Sequence, residues 1–331
     1  MTRHESSPTP TTWSLATAHT ADRGSFCAAL GEDGIREVPA LRGYPGAFEA
    51  LQDWAALAPG LRAYDPREAV PVRGARLLAP VRYPRTVLCS GANYRDHLAE
   101  MTGDGATRVR PFFFLKPPTT TVIGPDDPIV IPADESQKVD WEAELAVVIG
   151  RAGRDIPMDR AAAHIAGYTI VDDISARGPH HRADAFAEPF AWDWLASKGQ
   201  DTFCPTGPGV TPVWLVPDPH DLPIRLTVNG HEEQVSNTRE MIQSVPELIA
   251  AASALITLQP GDILATGTPA GVGLPRDRFL HPGDTVEITI GHLGRLRNPV
   301  TARETPHGTA HGTLHGTAHG TARDTARGAS R

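Results

Sequence analysis

From Tyr83 to Val300 the chain is written in short apolar runs, each closed by turn chemistry. The stretches "TVLCSGANY", "PFFFLK", "DPIVIP", "ELAVVIG", "GYTIVDD", "IRLTVNG", "DILATG" and "DTVEITI" are rich in β-branched and aromatic residues, which suit the pleated surface of a strand. Few helical stretches separate them, so the regular strand and helix alternation of a doubly wound sheet is missing. The expected class is mostly β with a few helices, an α+β protein built on mixed sheets. One helix is expected at "MDRAAAHIAG", with Gly167 just past its end. Another opens at "SVPE", where Ser244 and Glu247 have capping-box spacing ahead of "LIAAASALI".

The flanks read differently. In the first eighty residues "SFCAALGEDGIREV" suggests two short strands around a turn, and "AFEALQDWAALAPGL" a helix ended by Pro59 and Gly60. Residues 1–80 are therefore expected to form a small N-terminal domain ahead of a main domain at 81–300. Residues 301–331 are low in complexity, with a His-Gly-Thr repeat from His307 that has almost nothing to bury, and are expected to be disordered.

The formal charge of −8 disfavours nucleic acid and anionic membrane as partners and leaves a small molecule. Cys27, Cys89 and Cys204 are far apart and show neither a disulfide framework nor zinc spacing. There is no signal-like N-terminus and no apolar stretch near the roughly 18 residues that span a bilayer. A cytoplasmic protein is the expectation.

Within "VDWEAELAVVIG", Glu142 and Glu144 are two apart, so on a strand both carboxylates face one way. The following "LAVVIG" loses alternation, as strands covered on both sides do. Two carboxylates near the buried end of such a strand repel each other unless a cation lies between them. Asp172 or Asp173, ending "GYTIVDD", can add a third oxygen ligand if the strands are neighbours. Three carboxylates without Cys or His make a hard-oxygen site, suited to Mg²⁺, Mn²⁺ or Ca²⁺. In "NYRDHLAEM", Asp96 is a candidate N-cap, and His97 and Glu100 share one helical face. Taken alone that pair reads as an incidental surface contact, and Lys198 in "LASKGQDTF" as a solvated loop charge.

The motifs "GANYRDHLAEM", "PFFFLKPPTT", "DWEAELAVVIGR", "GYTIVDDISAR", "SKGQDTFCPTGP", "LQPGDILATGTPAGVG" and "LHPGDTVEITIGHLG" occur in the order seen in the fumarylacetoacetate hydrolase family, which this chain resembles from about Pro84 to Val300. The resemblance implies the mixed β-roll of that family, a catalytic role for residues 81–300 and a homodimer. It implies Mg²⁺ or Mn²⁺, with Ca²⁺ as a substitute, on Glu142, Glu144 and, by motif position, Asp173. It further implies His97 and Glu100 as a water-activating pair on a lid helix, and Lys198 as a cation at the substrate's oxygens. Weaker candidates for substrate contact are Gly267 and Thr268 of the Gly-rich loop "TGTPAGVG", Arg177 and His180. Gly178 stands where many relatives have Asp, and His180 lies near the position of a substrate-touching glutamine. The implied reaction is metal-dependent hydrolysis of a C–C bond in a 2,4-diketo acid of acylpyruvate or fumarylpyruvate type, through an enolate. Decarboxylation of an oxaloacetate-like acid, or hydration or isomerisation of a 2-oxo-dienoate, would use the same site, and a binding protein without turnover is the remaining alternative.

Overall fold

The computed structural model describes residues 12–103 and 110–304. From residue 305 onward the expected disordered tail lies outside the described residues. The strands are β1 (Ser14–Thr20), β2 (Gly24–Gly31), β3 (Gly34–Glu37), β4 (Val70–Pro71), β5 (Arg76–Leu77), β6 (Val87–Ser90), β7 (Phe113–Lys116), β8 (Val122–Ile123), β9 (Ile129–Ile131) and β10 (Val139–Asp140). They continue with β11 (Ala143–Ile149), β12 (Ile165–Asp172), β13 (Ser175–Ala176), β14 (Cys204–Pro212), β15 (Pro223–Val228), β16 (His231–Asn237), β17 (Ile263–Ala265), β18 (Thr285–Ile290) and β19 (Arg295–Ala302). The α-helices are α1 (Ala47–Gln52), α2 (Trp54–Ala63), α3 (Arg95–Thr102), α4 (Trp194–Lys198) and α5 (Val245–Leu255). Each of the eight apolar runs quoted above contains a strand.

Among the described residues the largest sheet has the order β4-β3-β2-β1-β14-β12-β11-β17-β6-β7, with β5 on β1 and β8 on β14. A second follows β16-β15-β18-β19-β9, and β10 pairs with β13. The pairs β17–β6, β14–β8 and β19–β9 are parallel and the others antiparallel, which makes the sheets mixed as expected. No helix among the described residues is long and apolar enough to cross a membrane.

β11 is central, and both of its faces are covered. Leu145, Val147 and Ile149 join one core with Trp141, Leu248 and Ile249. Ala146 and Val148 join another with Trp13, Leu51 and Trp54 from the N-terminal region. Burial on both sides explains the loss of alternation in "LAVVIG".

Three local expectations are corrected. α2 runs through Pro59 and ends at Ala63. Pro59 lacks the N–H that would bond Ala55, yet the buried Trp54 and Leu61 hold the helix on the core. Met158–His164 is a 3₁₀ helix, and Gly167 lies inside β12, where a Cβ would stand 2.1 Å from the Thr211 carbonyl oxygen of β14. Strand contact, not helix termination, accounts for that glycine. Asp96 is not the N-cap of α3, a position held by Tyr94. Its carboxylate instead accepts from the His97 N–H at 2.8 Å and the Ser236 hydroxyl at 2.6 Å, tying α3 to β16.

Candidate active site

β11 and β12 run antiparallel with Ala143 opposite Asp172 and Glu144 opposite Val171. The Asp173 N–H extends the ladder to the Glu142 carbonyl at 2.9 Å. Cross-strand partners project to one face, so Asp173 joins Glu142 and Glu144 while Asp172 turns away with Ala143. All three carboxylates are buried, and each offers an oxygen within 4.8 Å of the others. Asp172 accepts the Glu142 N–H at 3.0 Å, and burial pushes its carboxyl up to about 7.

Three cations lie among these carboxylates. Lys198, the last residue of α4, donates to Glu142 Oε2 at 2.8 Å and to Asp173 Oδ2 at 2.7 Å. Lys116, the last residue of β7, donates to Asp173 Oδ1 and to the Ile174 carbonyl. Arg177 gives Nη2 to Glu142 at 2.5 Å and Nε to Asp140 at 2.9 Å. Lys198 is only 3% exposed, so it is no solvated loop charge. Burial works against its charge, but Asp173 and Glu142 more than offset this and hold its pKa above the ordinary lysine value. Burial likewise opposes charge on Glu142, which Lys198 and Arg177 nevertheless keep well below the usual carboxylate range.

Glu144 moves the other way. Burial, then the neighbouring Asp173 and Glu142, push its carboxyl well above the ordinary value, against the Lys198 charge and a 2.8 Å hydrogen bond from the Gly267 N–H. A carboxylate crowded by like charges, within an all-oxygen donor set, is an environment that a divalent cation relieves. The residues present therefore fit such an ion.

Glu142 and Glu144 open onto a pocket of about 130 Å³ that is also lined by His97, Arg177, His180, Lys198 and Thr268, with Phe112, Phe114 and Trp194 as its aromatic wall. His97 Nδ1 lies 3.2 Å from Glu100 Oε2, and both side chains are largely covered. Burial would raise Glu100, but the His97 contact and the Gly271 N–H outweigh it and leave its carboxyl below the usual range. His180 packs edge-on against Trp194, at 4.6 Å between ring centroids, and against Trp192. Burial, then Arg177 and Lys198, lower its pKa, which favours the neutral ring.

The Gly-rich loop turns its N–H groups onto the protein's own acids. Gly267 serves Glu144, Gly271 serves Glu100, and Gly273 and Leu274 serve Asp140 at 2.6 and 3.0 Å. The Thr268 hydroxyl donates to the Ala143 carbonyl and accepts from Gln234. Gly178 packs so closely on the Ser136 carbonyl that a Cβ would lie 1.8 Å from its oxygen, which leaves no room for an acid there.

Two site residues escaped the sequence reading. Asp140 is fully buried and links Arg177 to the Gly-rich loop, and its signal was parity, since it extends the alternation of Glu142 and Glu144 by one step. Lys116 ends the apolar run "FFFLK", the same kind of signal as a glutamate inside a buried strand.

The family model described as fumarylacetoacetate (FAA) hydrolase C-terminal matches residues 86–301. Among curated proteins, a mitochondrial oxaloacetate tautomerase of Xenopus laevis is 45% identical over 226 residues, 68% of either chain. Among solved structures, a 5-carboxymethyl-2-hydroxymuconate delta-isomerase from Mycobacterium smegmatis is 36% identical with a TM-score of 0.68. A maleylpyruvate hydrolase from Sphingobium sp. SYK-6, solved with manganese(II) and pyruvate, is 31% identical with a TM-score of 0.70. Each of these two structures is spanned completely and covers 88% of this chain. On the extent of the family match and the identity to these relatives, the chain is an enzyme that belongs to the fumarylacetoacetate hydrolase family.

Proposed function

We propose that this enzyme moves a proton at the carbon beside the ketone of a short 2-oxo acid, interconverting the keto and enol forms of an oxaloacetate-like substrate. The observation that carries this reading is the convergence on one pocket of His97, paired behind with Glu100, two of the buried carboxylates and the Lys198 ammonium. Enolisation needs a base at the α-carbon and positive charge near the ketone oxygen. Mg²⁺ or Mn²⁺ held by Glu142, Glu144 and Asp173, with Ca²⁺ as a substitute, would supply Lewis-acid polarisation of the substrate's oxygens.

Lys198 donates to Glu142 and Asp173 and so places a positive charge beside the triad, while the group assigned as base is His97. Glu100 accepts from the Nδ1 side of the imidazole, which makes Nε2 the basic nitrogen. His97 takes the proton from carbon and returns it at oxygen, so the step balances without a co-reactant. Arg177 holds Glu142 in place, and Phe112, Phe114 and Trp194 limit water. The 45% identity to an oxaloacetate tautomerase supports this order of readings.

Hydrolysis of a C–C bond in a 2,4-diketo acid is the second reading, favoured by the likeness to a maleylpyruvate hydrolase. There His97 would deprotonate water for attack on the distal carbonyl, and the pyruvate enol released would be reprotonated by the same residues. The test uses metal-stripped protein reloaded with Mn²⁺, following the enol absorbance of oxaloacetate and pyruvate release from acetylpyruvate. Mn²⁺-dependent enol exchange that disappears in His97→Ala and Glu144→Gln is expected. Efficient pyruvate release without enol exchange would replace the first reading with the second, and the absence of both activities would sink the two together.

A further inference from the structure

We infer that Arg276, held by Glu233, is a positioning residue for the His97–Glu100 pair and acts through the Gly271 segment. The inference rests on the reading that this pair carries the proton. Glu233 on β16 has its carboxylate fully covered and placed between two guanidinium groups, Arg276 Nη1 at 2.9 Å and Arg278 Nη2 at 2.7 Å. Arg276 also donates through Nη2 to the Gly271 carbonyl, and through Nε and Nη2 to the Val272 carbonyl at 3.3 Å. The Gly271 carbonyl accepts a further hydrogen bond from Trp141 Nε1 at 3.1 Å.

With its carbonyl fixed in this way, Gly271 gives its N–H to both oxygens of Glu100, at 3.1 and 3.2 Å. Glu100 in turn meets His97 Nδ1. Gly271 has φ +101°, and a Cβ there would stand 2.2 Å from the Glu233 carbonyl oxygen, so this turn rests directly on β16. The helix carrying the pair is fixed to the same strand through the Ser236 to Asp96 hydrogen bond. β16 thus sets both halves of the arrangement, the loop through Glu233 and the helix through Ser236. Of the contacts that hold the carboxylate triad, those from Lys116, Lys198 and Gly267 lie outside the segment Arg276 grips, whereas Arg177 reaches that segment through Asp140 and the Gly273 N–H. Arg276 reaches His97 through Gly271 and Glu100, and the triad only by the longer path through Gly273, Asp140 and Arg177, so its loss bears first on His97.

The test compares Arg276→Gln, Arg276→Lys and Glu233→Gln in the Mn²⁺-loaded enzyme, with Glu100→Gln as the second background. Arg276→Gln is expected to lower kcat about tenfold while KM and Mn²⁺ affinity stay within about twofold of wild type. Arg276→Lys should recover part of the loss, because the Glu233 pairing survives without the planar fork. In Glu100→Gln, the same Arg276→Gln change should add nothing, as expected for residues acting in series. Additive losses, or a lowered melting temperature with unchanged kcat, would overturn the proposal. Nitrogen NMR of the His97 ring in the diamagnetic Mg²⁺-loaded enzyme reads the orientation without turnover, and Arg276→Gln and Glu100→Gln should shift Nδ1 in the same direction. An unmoved resonance overturns the positioning role. A moved resonance with no turnover of any 2-oxo acid removes the proposed reaction and leaves the positioning role standing.

Discussion

Glu142 holds two cations at once, Lys198 on one oxygen and Arg177 on the other, and all three groups are largely out of solvent. Breaking a buried ion pair by removing one partner costs roughly 3–5 kcal/mol, because the remaining charge is left uncompensated. Glu142→Ala should destabilise the metal-free protein by about that much. Glu144→Gln removes a carboxyl whose charged form is opposed by burial and then by Asp173 and Glu142, so the metal-free protein should keep or gain stability while losing its stabilisation by Mn²⁺. Urea denaturation of both variants, with and without Mn²⁺, checks the contrast, and equal destabilisation in the absence of metal would contradict it. Glu142 and Glu144 were legible because parity along one strand fixes a shared face, whereas the choice of Asp173 over Asp172 came from motif position. Lys116 was less so, since it lies 57 residues from Asp173 and only the β6–β7 pairing at the sheet edge brings it there.

Local rules worked for elements where backbone chemistry decides and failed where packing does. The capping box at Ser244 formed as its spacing implied, with the Glu247 carboxylate accepting from the Ser244 N–H and hydroxyl, both at 2.7 Å. Pro59 and Gly167 misled for the opposite reason, since a core contact overrides a helix break in one case and a strand approach requires glycine in the other. The capping box gives a prediction for pH. The Ser244 hydroxyl and N–H lower the Glu247 pKa from its ordinary 4.5. A depressed folded pKa means that the unfolded state binds more protons, so this stabilisation is complete above the unfolded value and fades as pH falls through the folded one. Ser244→Ala should cost about 1 kcal/mol at neutral pH. In thermal melts across the acid range, the gap between wild type and variant should narrow below about pH 4.5. A gap that widens in acid would show that the cap works through something other than the charged carboxylate.

At the scale of the whole molecule, the N-terminal strands are continuous with the sheet that carries the site. β1 pairs with β14 at Leu15 and Val210, and Trp13, Leu15, Leu51 and Trp54 share a core with Cys89, Ala146, Val148 and Val171. Trp54 also stacks on Trp214, with 5.7 Å between ring centroids. The composition shift near residue 80 was visible in the sequence, but the pairing was not, because β1 and β14 are joined only through contacts nearly two hundred residues apart. Burying one large apolar side chain contributes about 1.5–3 kcal/mol. Exposing Leu15, Leu51 and Trp54 together would remove much of the roughly 5–15 kcal/mol by which a domain is stable. We therefore propose that residues 1–80 and 81–300 unfold as one unit, and that a chain lacking residues 1–80 has no cooperative transition. Far-ultraviolet dichroism, tryptophan fluorescence and loss of Mn²⁺ binding should give one urea midpoint in the full chain. A truncated chain that melts cooperatively and binds Mn²⁺ with wild-type affinity would mean that β14, β12 and β11 hold the carboxylates without the N-terminal layer on their other face.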